Sequence, residues 1–355
     1  MPMPTFTTPT PPATPARPAW GILFLVTLLA LLPCLKAGEI DLAWPTPMPV
    51  MGGGVSAQEC YQATASGEPE SGGFGCVRSG GHKFHEGIDI HPMQRDRRGE
   101  PADPVMAAMD GVVRHINTLA GESSYGRYIV IEHLGQSPTV YTLYAHLSSI
   151  TSGLRRGDKV TKGQVIATMG HTAGGYAIPR DRAHLHFEIG LCVSKDFQSW
   201  YNWRKFGSPN QHNDWNGMNL LGIDAWDCIA QWRAGKIHSF SDYFRRLPAA
   251  VRIRISTTRT PDFLQRYPEL AAGERPAGVL GGWEVSFSPT GVPFRWQPLS
   301  PMEIAGLRNN QPEIVWTDDA LLRQERCRDL VDVRRGHKGP GKDLNAVLEL
   351  LFNLR

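Results

Sequence analysis

Apolar and polar residues alternate with a period of two through the middle of this chain. The runs GRYIVIEHL and PTVYTLYAHL flank a turn at Gly135-Gln136-Ser137-Pro138 and predict a pair of strands. ADPVMAAMDGVVRHIN predicts two more, broken at Asp110-Gly111. LRRGDKVTKGQVIATMG adds a turn-and-strand unit at Gly157-Asp158 and Lys162-Gly163. Helical periodicity is sparse here, so residues 57–215 are expected to form a mainly β domain built on an antiparallel sheet. From about residue 241 the pattern changes. VRIRIS (251–256) reads as a strand with one charged face, and GGWEVSFSPTGVPFRW (281–296) as a hairpin around Pro289-Thr290-Gly291. A helix is expected over 318–334 behind Thr317 as N-cap, and another over 344–352 with Leu344, Val347, Leu348 and Leu351 on one face. Residues 241–355 are therefore read as a small α+β C-terminal domain.

The segments around these domains differ in composition. Residues 1–19 are rich in Pro and Thr and cannot build a core. The apolar run WGILFLVTLLALLPCL (20–35) is shorter than the roughly 20 residues of a membrane span. It fits the centre of a secretory signal with a small-residue exit near Ala37-Gly38; a retained membrane anchor is the main alternative and a buried core helix a third. Residues 1–37 are thus read as an N-region with a signal or anchor, and the protein is expected to be exported to the periplasm or cell envelope. Residues 38–56 are Pro- and Gly-rich and read as a linker. Residues 216–240 read as a connector, part of an aromatic-rich stretch from 196 onward that is expected to pack against the β domain rather than to present a sugar-stacking surface. The total of 355 residues fits two domains with extras. A net charge of +3 without a Lys/Arg block gives no case for nucleic acid. Among the cysteines, Cys60–Cys76 and Cys192–Cys228 are candidate bridges with the connectivity open. None has Cys-x-x-Cys spacing, which argues against a thiolate zinc site.

Histidines carry the candidate chemistry. In AHLHFEIG an extended chain puts His184, His186 and Glu188 on one face and Leu185, Phe187 and Ile189 on the other. In FHEGIDI it puts His85, Gly87 and Asp89 on one side, with Gly87 leaving room for a ligand or a neighbouring backbone. His85, Asp89 and His186 together make a set of three protein ligands with a fourth position free, which is the arrangement of catalytic rather than structural zinc. No His-Glu-x-x-His motif supplies a glutamate base. His184 and His146, the latter at the end of TLYAHLSS, are left to handle protons and the oxyanion. Glu86 is expected to point away from the cluster, and Glu188 to orient a neighbouring histidine or pair with an arginine.

Over roughly residues 72–190 the chain resembles the lysostaphin-type (LytM-like) zinc endopeptidases that cleave peptide cross-links of bacterial cell walls. The resemblance runs in order through FHEGIDI, DPVMAAMDGVV, SYGRYIVIEHL, TVYTLYAHL, RRGDKVTKGQVIATMGHT and HLHFEIG. It implies that His85, Asp89 and His186 bind one Zn2+, and that His146 and His184 flank the activated water and the oxyanion. It also implies an antiparallel β fold with a groove across a sheet. Two segments depart from the pattern: IHPMQRDRRGEPADPVMA is longer and more charged, and HTAGGYAIPRDRAHLHFE carries extra residues before His-x-His. The expected function is a zinc metalloendopeptidase acting on peptidoglycan peptides. The alternatives are a non-catalytic wall-binding regulator of a cell-wall amidase on the same fold, and a zinc carboxypeptidase, which the short His85-to-Asp89 spacing disfavours.

Overall fold

Strand-forming segments in the middle of the chain are short and separated by glycine-marked turns, and they pair with near neighbours. In the computed structural model, which describes residues 1–2 and 38–354, they give β1 (Gly75–Arg78), β2 (Lys83–His85), β3 (Ile88–Ile90), β4 (Pro104–Met106), β5 (Gly111–Asn117), β6 (Tyr128–His133), β7 (Val140–Ala145), β8 (Ser149–Ile150), β9 (Lys159–Val160), β10 (Val165–Thr168), β11 (Leu185–Cys192) and β12 (Leu220–Ile223). The principal sheet has the order β12-β11-β7-β6-β5-β9, with β3 also pairing with β11. Every ladder in it is antiparallel. A second sheet, β4-β10-β8, and the hairpin β1-β2 complete the region. The apolar run 20–35 lies outside the described residues. Among the described residues no helix is long and apolar enough to cross a membrane.

Both faces of the principal sheet are covered. Ile129, Ile131, Tyr144, Phe187 and Ile189 join the main core on one face. On the other, Tyr128, Val130, Tyr141, Leu143, Ala145 and Cys192 pack with Trp215 and Leu220 in a smaller cluster. Hence every residue of β7 and β11 is buried. The aromatic stretch does pack as expected: Trp200, Tyr201 and Trp215 are buried, although Trp203 and Phe206 stay exposed.

The C-terminal region builds a four-stranded antiparallel sheet from β13 (Val251–Ser256), β14 (Gly282–Phe287), β15 (Pro293–Leu299) and β16 (Pro312–Thr317), in the order β15-β14-β13-β16. The helix Lys342–Phe352 packs onto it, with Phe352 against Trp296 at 5.6 Å between ring centroids.

Three expectations fail here. The 38–56 stretch is no free linker, because Ile40, Leu42, Trp44, Met48 and Val50 are buried in the core. Its backbone bonds to the sheet region, Ala43 N–H donating to Ala108 O at 2.8 Å, and Trp44 meets Trp226 edge-on. The helix expected over 318–334 ends early. Asp318, not Thr317, caps it by accepting from the amides of Ala320 and Leu321; it spans only Asp319–Gln324, and the chain returns as the hairpin β17 (Val331–Arg334) and β18 (His337–Pro340). Finally, the disulfide is Cys76–Cys327, whereas Cys60, Cys192 and Cys228 are free and buried. A partner 251 residues away is invisible to spacing arguments.

Candidate functional site

The register of β11 assembles the histidine cluster. Its first half pairs with β3, setting His186 directly opposite Asp89, while β7 on the other side sets Ala145 opposite His186. His146 follows Ala145 at the point where β7 ends. It adopts a left-handed backbone with φ of 61°, uncommon for a residue with a side chain and a mark of a position fixed by its surroundings. His184 precedes β11 and is held by an isolated bridge to Gly170. His85 closes β2. Gly87, between β2 and β3, is required for backbone approach: a Cβ there would lie 2.4 Å from Phe187 O.

His85, Asp89 and His186, all buried, bring one ligand atom each to within 4.8 Å of one another. His85 Nε2 is 2.9 Å from His186 Nδ1, and Asp89 Oδ1 is 3.1 Å from each of these nitrogens. The outward nitrogens are engaged. His85 Nδ1 donates to Gly73 O at 2.5 Å, and His186 Nε2 donates to Glu188 Oε1 at 2.9 Å. Glu188 is in turn gripped by Tyr125 and Tyr141, whose hydroxyls donate to its two oxygens at 2.6 and 2.7 Å. This fixes both imidazoles with their remaining nitrogens turned inward, as carboxylate or carbonyl acceptors do behind metal-bound histidines.

Convergent nitrogens and a carboxylate require positive charge between them. Burial depresses the His85 imidazole to about 4. His186 goes the other way: burial opposes its charge, but its hydrogen bonds to Asp89 and Glu188 raise it to about 9. Burial alone would raise the Asp89 carboxyl, but His184, His85 and Arg78 hold it well below the usual range. Arg78 supplies the second cation, donating from Nη2 to His85 Nε2 at 2.7 Å and to Asp89 Oδ2. The donor set, two imidazoles and one carboxylate, suits a divalent transition metal, which would displace the His186 proton.

His146 and His184 lie beside this cluster with ring centroids 4.8 Å apart. His146 Nδ1 donates to Thr172 O and His184 Nδ1 to Arg182 O, both at 2.8 Å. Each therefore keeps Nε2 free of its proton when neutral. Burial, first, and then the neighbouring histidines hold His146 well below the ordinary imidazole range; burial also lowers His184 against the pull of Asp89. A neutral imidazole with a defined accepting nitrogen is what general-base chemistry needs.

A groove runs past these residues. One cavity of about 380 Å³ is lined by Arg78, Asp89, His146 and His184. A neighbour of about 270 Å³ shares Arg78, Lys83, His146 and Tyr176 with it, and also touches His85 and His186. That one shares Phe84, Glu86, Ser124 and Tyr125 with a third, of about 620 Å³, which reaches Trp200 and the helix Lys342–Phe352. The C-terminal region thus walls the far end of the groove.

All five residues singled out in the sequence are brought together. Glu86 is exposed and makes no contact with the ligand atoms, as expected, and Glu188 does orient a histidine. Sequence reasoning missed Arg78, Tyr125 and Tyr141. A tyrosine alternating on a strand next to the His-x-His strand was the available signal for Tyr141; nothing local marked Arg78.

Residues 83–196 match the sequence model described as Peptidase family M23. Among solved structures, similarity is found to a candidate glycyl-glycine endopeptidase LytM from Ruminococcus gnavus, at 30% identity over 32% of this chain and 42% of that one, with a TM-score of 0.25. The catalytic domain of the antimicrobial peptidase lysostaphin from Staphylococcus simulans matches at 25% identity over 33% of this chain and 74% of that one, TM-score 0.24. A zinc-containing peptidase from Vibrio cholerae matches at 23% identity over 44% and 36%, TM-score 0.23. The chain thus spans less than half of the Ruminococcus protein it matches. No match is found among curated proteins. The stretch that matches this family model is the one that places His85, Asp89, His146, His184 and His186, so the likeness of residues 83–196 to peptidase family M23 includes the whole candidate site.

Proposed function

We propose that this protein is an exported zinc metalloendopeptidase that hydrolyses peptide cross-links of bacterial peptidoglycan. One observation carries the reading: His85 Nε2, His186 Nδ1 and Asp89 Oδ1 converge, with both outward nitrogens locked by acceptors, directly beside two neutral histidines. His85, Asp89 and His186 would hold the metal. When bound, zinc supplies a Lewis acid and a water of lowered pKa at the scissile carbonyl. His146 and His184 share proton transfer through their Nε2 atoms: a neutral Nε2 accepts a proton, and once protonated it donates to the developing oxyanion or the leaving amine. Thr172 O and Arg182 O fix the rings so that these atoms are the ones presented. The two tyrosines on Glu188 keep the carboxylate behind His186 and resist its rotation. The Cys76–Cys327 bridge supports export, since disulfides persist in oxidising compartments. Whether residues 20–35 are cleaved or kept as an anchor is read by N-terminal sequencing of the mature protein.

The purified protein is expected to carry about one zinc per chain and to release peptides from isolated sacculi. His186→Ala should lose both. Unchanged peptide release by His186→Ala would overturn the reading. A second reading, a metal-free wall-binding regulator of an amidase, is favoured by one observation: Arg78 and the His186 proton satisfy the cluster without a metal. It predicts wall binding without zinc uptake or peptide release.

A further inference from the structure

The groove is electrostatically lopsided. The 380 Å³ cavity on the His184 side is walled by Arg78, Lys83 and Arg182. The one acidic side chain in its lining, Asp89, is already engaged by Arg78, His85 and His186. Among the described residues, the side chains of Lys83 and Arg182 have no hydrogen-bond or ionic partner. Arg78 Nε is buried, also without a partner. Moreover, Arg78 and Lys83 stand directly opposite each other across the β1-β2 hairpin. Like charges in that register repel. Arg182, half-buried, sits in the extended loop before His184. That loop is braced by the other extended loop: Arg95 donates to Arg180 O at 2.8 Å, and Arg180 pairs with Glu100 at 2.8 Å. The two insertions that depart from the family pattern therefore place a cation at the rim. At the opposite end the groove is mixed, with Glu86, Glu122 and Asp343 beside Arg204, Arg328 and Lys342.

We infer that the cavity between β1-β2 and the 176–182 loop is a carboxylate-binding subsite, which selects peptides bearing a free carboxylate next to the scissile bond. The inference rests on the peptidase reading above and adds its substrate class. An anion there relieves the Arg78–Lys83 repulsion and gives a partner to Arg182, whose planar fork suits a carboxylate. Because the cavity borders His146 and His184, the bound carboxylate lies close to the reacting carbonyl and orients it.

The test uses the zinc-loaded full chain and three synthetic cross-linked stem-peptide dimers. In one, all carboxylates are free. In the second, the terminal α-carboxylate is amidated; in the third, the carboxylate on the residue flanking the cross-link is amidated. One amidation is expected to raise KM about tenfold or more with little change in kcat, and which one does so identifies the source of the carboxylate. Lys83→Gln and Arg182→Gln should each shrink the ratio of amidated to free KM toward one. Reduced-amide analogues of the same dimers, titrated by calorimetry, read the preference without turnover. If the dimers are cleaved with equal KM, the subsite is overturned and the peptidase reading stands. If nothing is cleaved but the analogues bind with the carboxylate preference, the peptidase reading falls and the subsite stands. Equal binding of all three analogues overturns the subsite in either case.

Discussion

The principal sheet and the C-terminal sheet are both antiparallel, and both carry strands with strict alternation, yet one holds the candidate site and the other does not. In β13, Val251, Ile253 and Ile255 face the core while Arg252 and Arg254 face outward, Arg254 pairing with Glu284 and Arg252 stacking on Trp316. In β11 the same alternation places Leu185, Phe187 and Ile189 in the core, but the polar face is buried too. His186 and Glu188 point into a covered region closed by Tyr125 and Tyr141 rather than into water. Polar residues on a solvated face are worth little individually. On a face sealed from water they must be fully satisfied, and the leftover inward valences are available for chemistry.

That contrast can be broken in several ways. The largest expected effect lies in the C-terminal sheet: Trp296→Ala, which removes a fully buried ring touching Trp283, Phe263 and Phe352, should cost about 3–5 kcal/mol in denaturant unfolding. One shared transition would mean the two sheets unfold together; two transitions would separate them. Next comes a pH effect inside the principal sheet. His133 is fully buried, bonded to Asp110 O and Thr142, and burial lowers it to about 4. Between its unfolded value near 6.5 and that folded value the unfolded chain binds the extra proton. Stability is therefore complete above pH 6.5 and falls as the pH drops toward 4, by on the order of 3 kcal/mol. His133→Gln should make the fall of melting temperature across this window less steep, the buried histidines of the cluster keeping the remainder; an equally steep profile in the variant would assign the whole effect to those other groups. Glu188→Gln leaves the shape of the covered face but weakens the acceptor behind His186. Zinc affinity, measured by chelator competition, should fall about 10–100-fold. The smallest effect is expected from Arg254→Ala, whose half-exposed pair with Glu284 contributes no more than about 1 kcal/mol and whose loss should leave zinc affinity unchanged.

Much of this was legible in the sequence. Period-two alternation located β6, β7, β11 and β13, and the same alternation put His186 and Glu188 on one face. Two short phrases sufficed for the cluster because Asp89 on β3 and His186 on β11 face each other in direct register, and His85 and His184 lie just outside those two strands. What was not legible depends on contacts between distant segments. Arg78 sits in a glycine-rich hairpin with no periodicity of its own, and only the fold carries it to Asp89. The 38–56 stretch has the composition of a linker, yet its few apolar residues find the core. The long C-terminal helix expected over 318–334 was stopped by strand pairing that local propensity does not encode.

Cys76 lies two residues before Arg78, and its partner Cys327 lies near the other end of the chain. Together they close a covalent ring that takes in the principal sheet and most of the C-terminal region. A protease that cuts any exposed loop within that ring opens it without parting it: the pieces migrate as one molecule until reductant is added. A nicked copy of this protein can therefore keep its groove walls together.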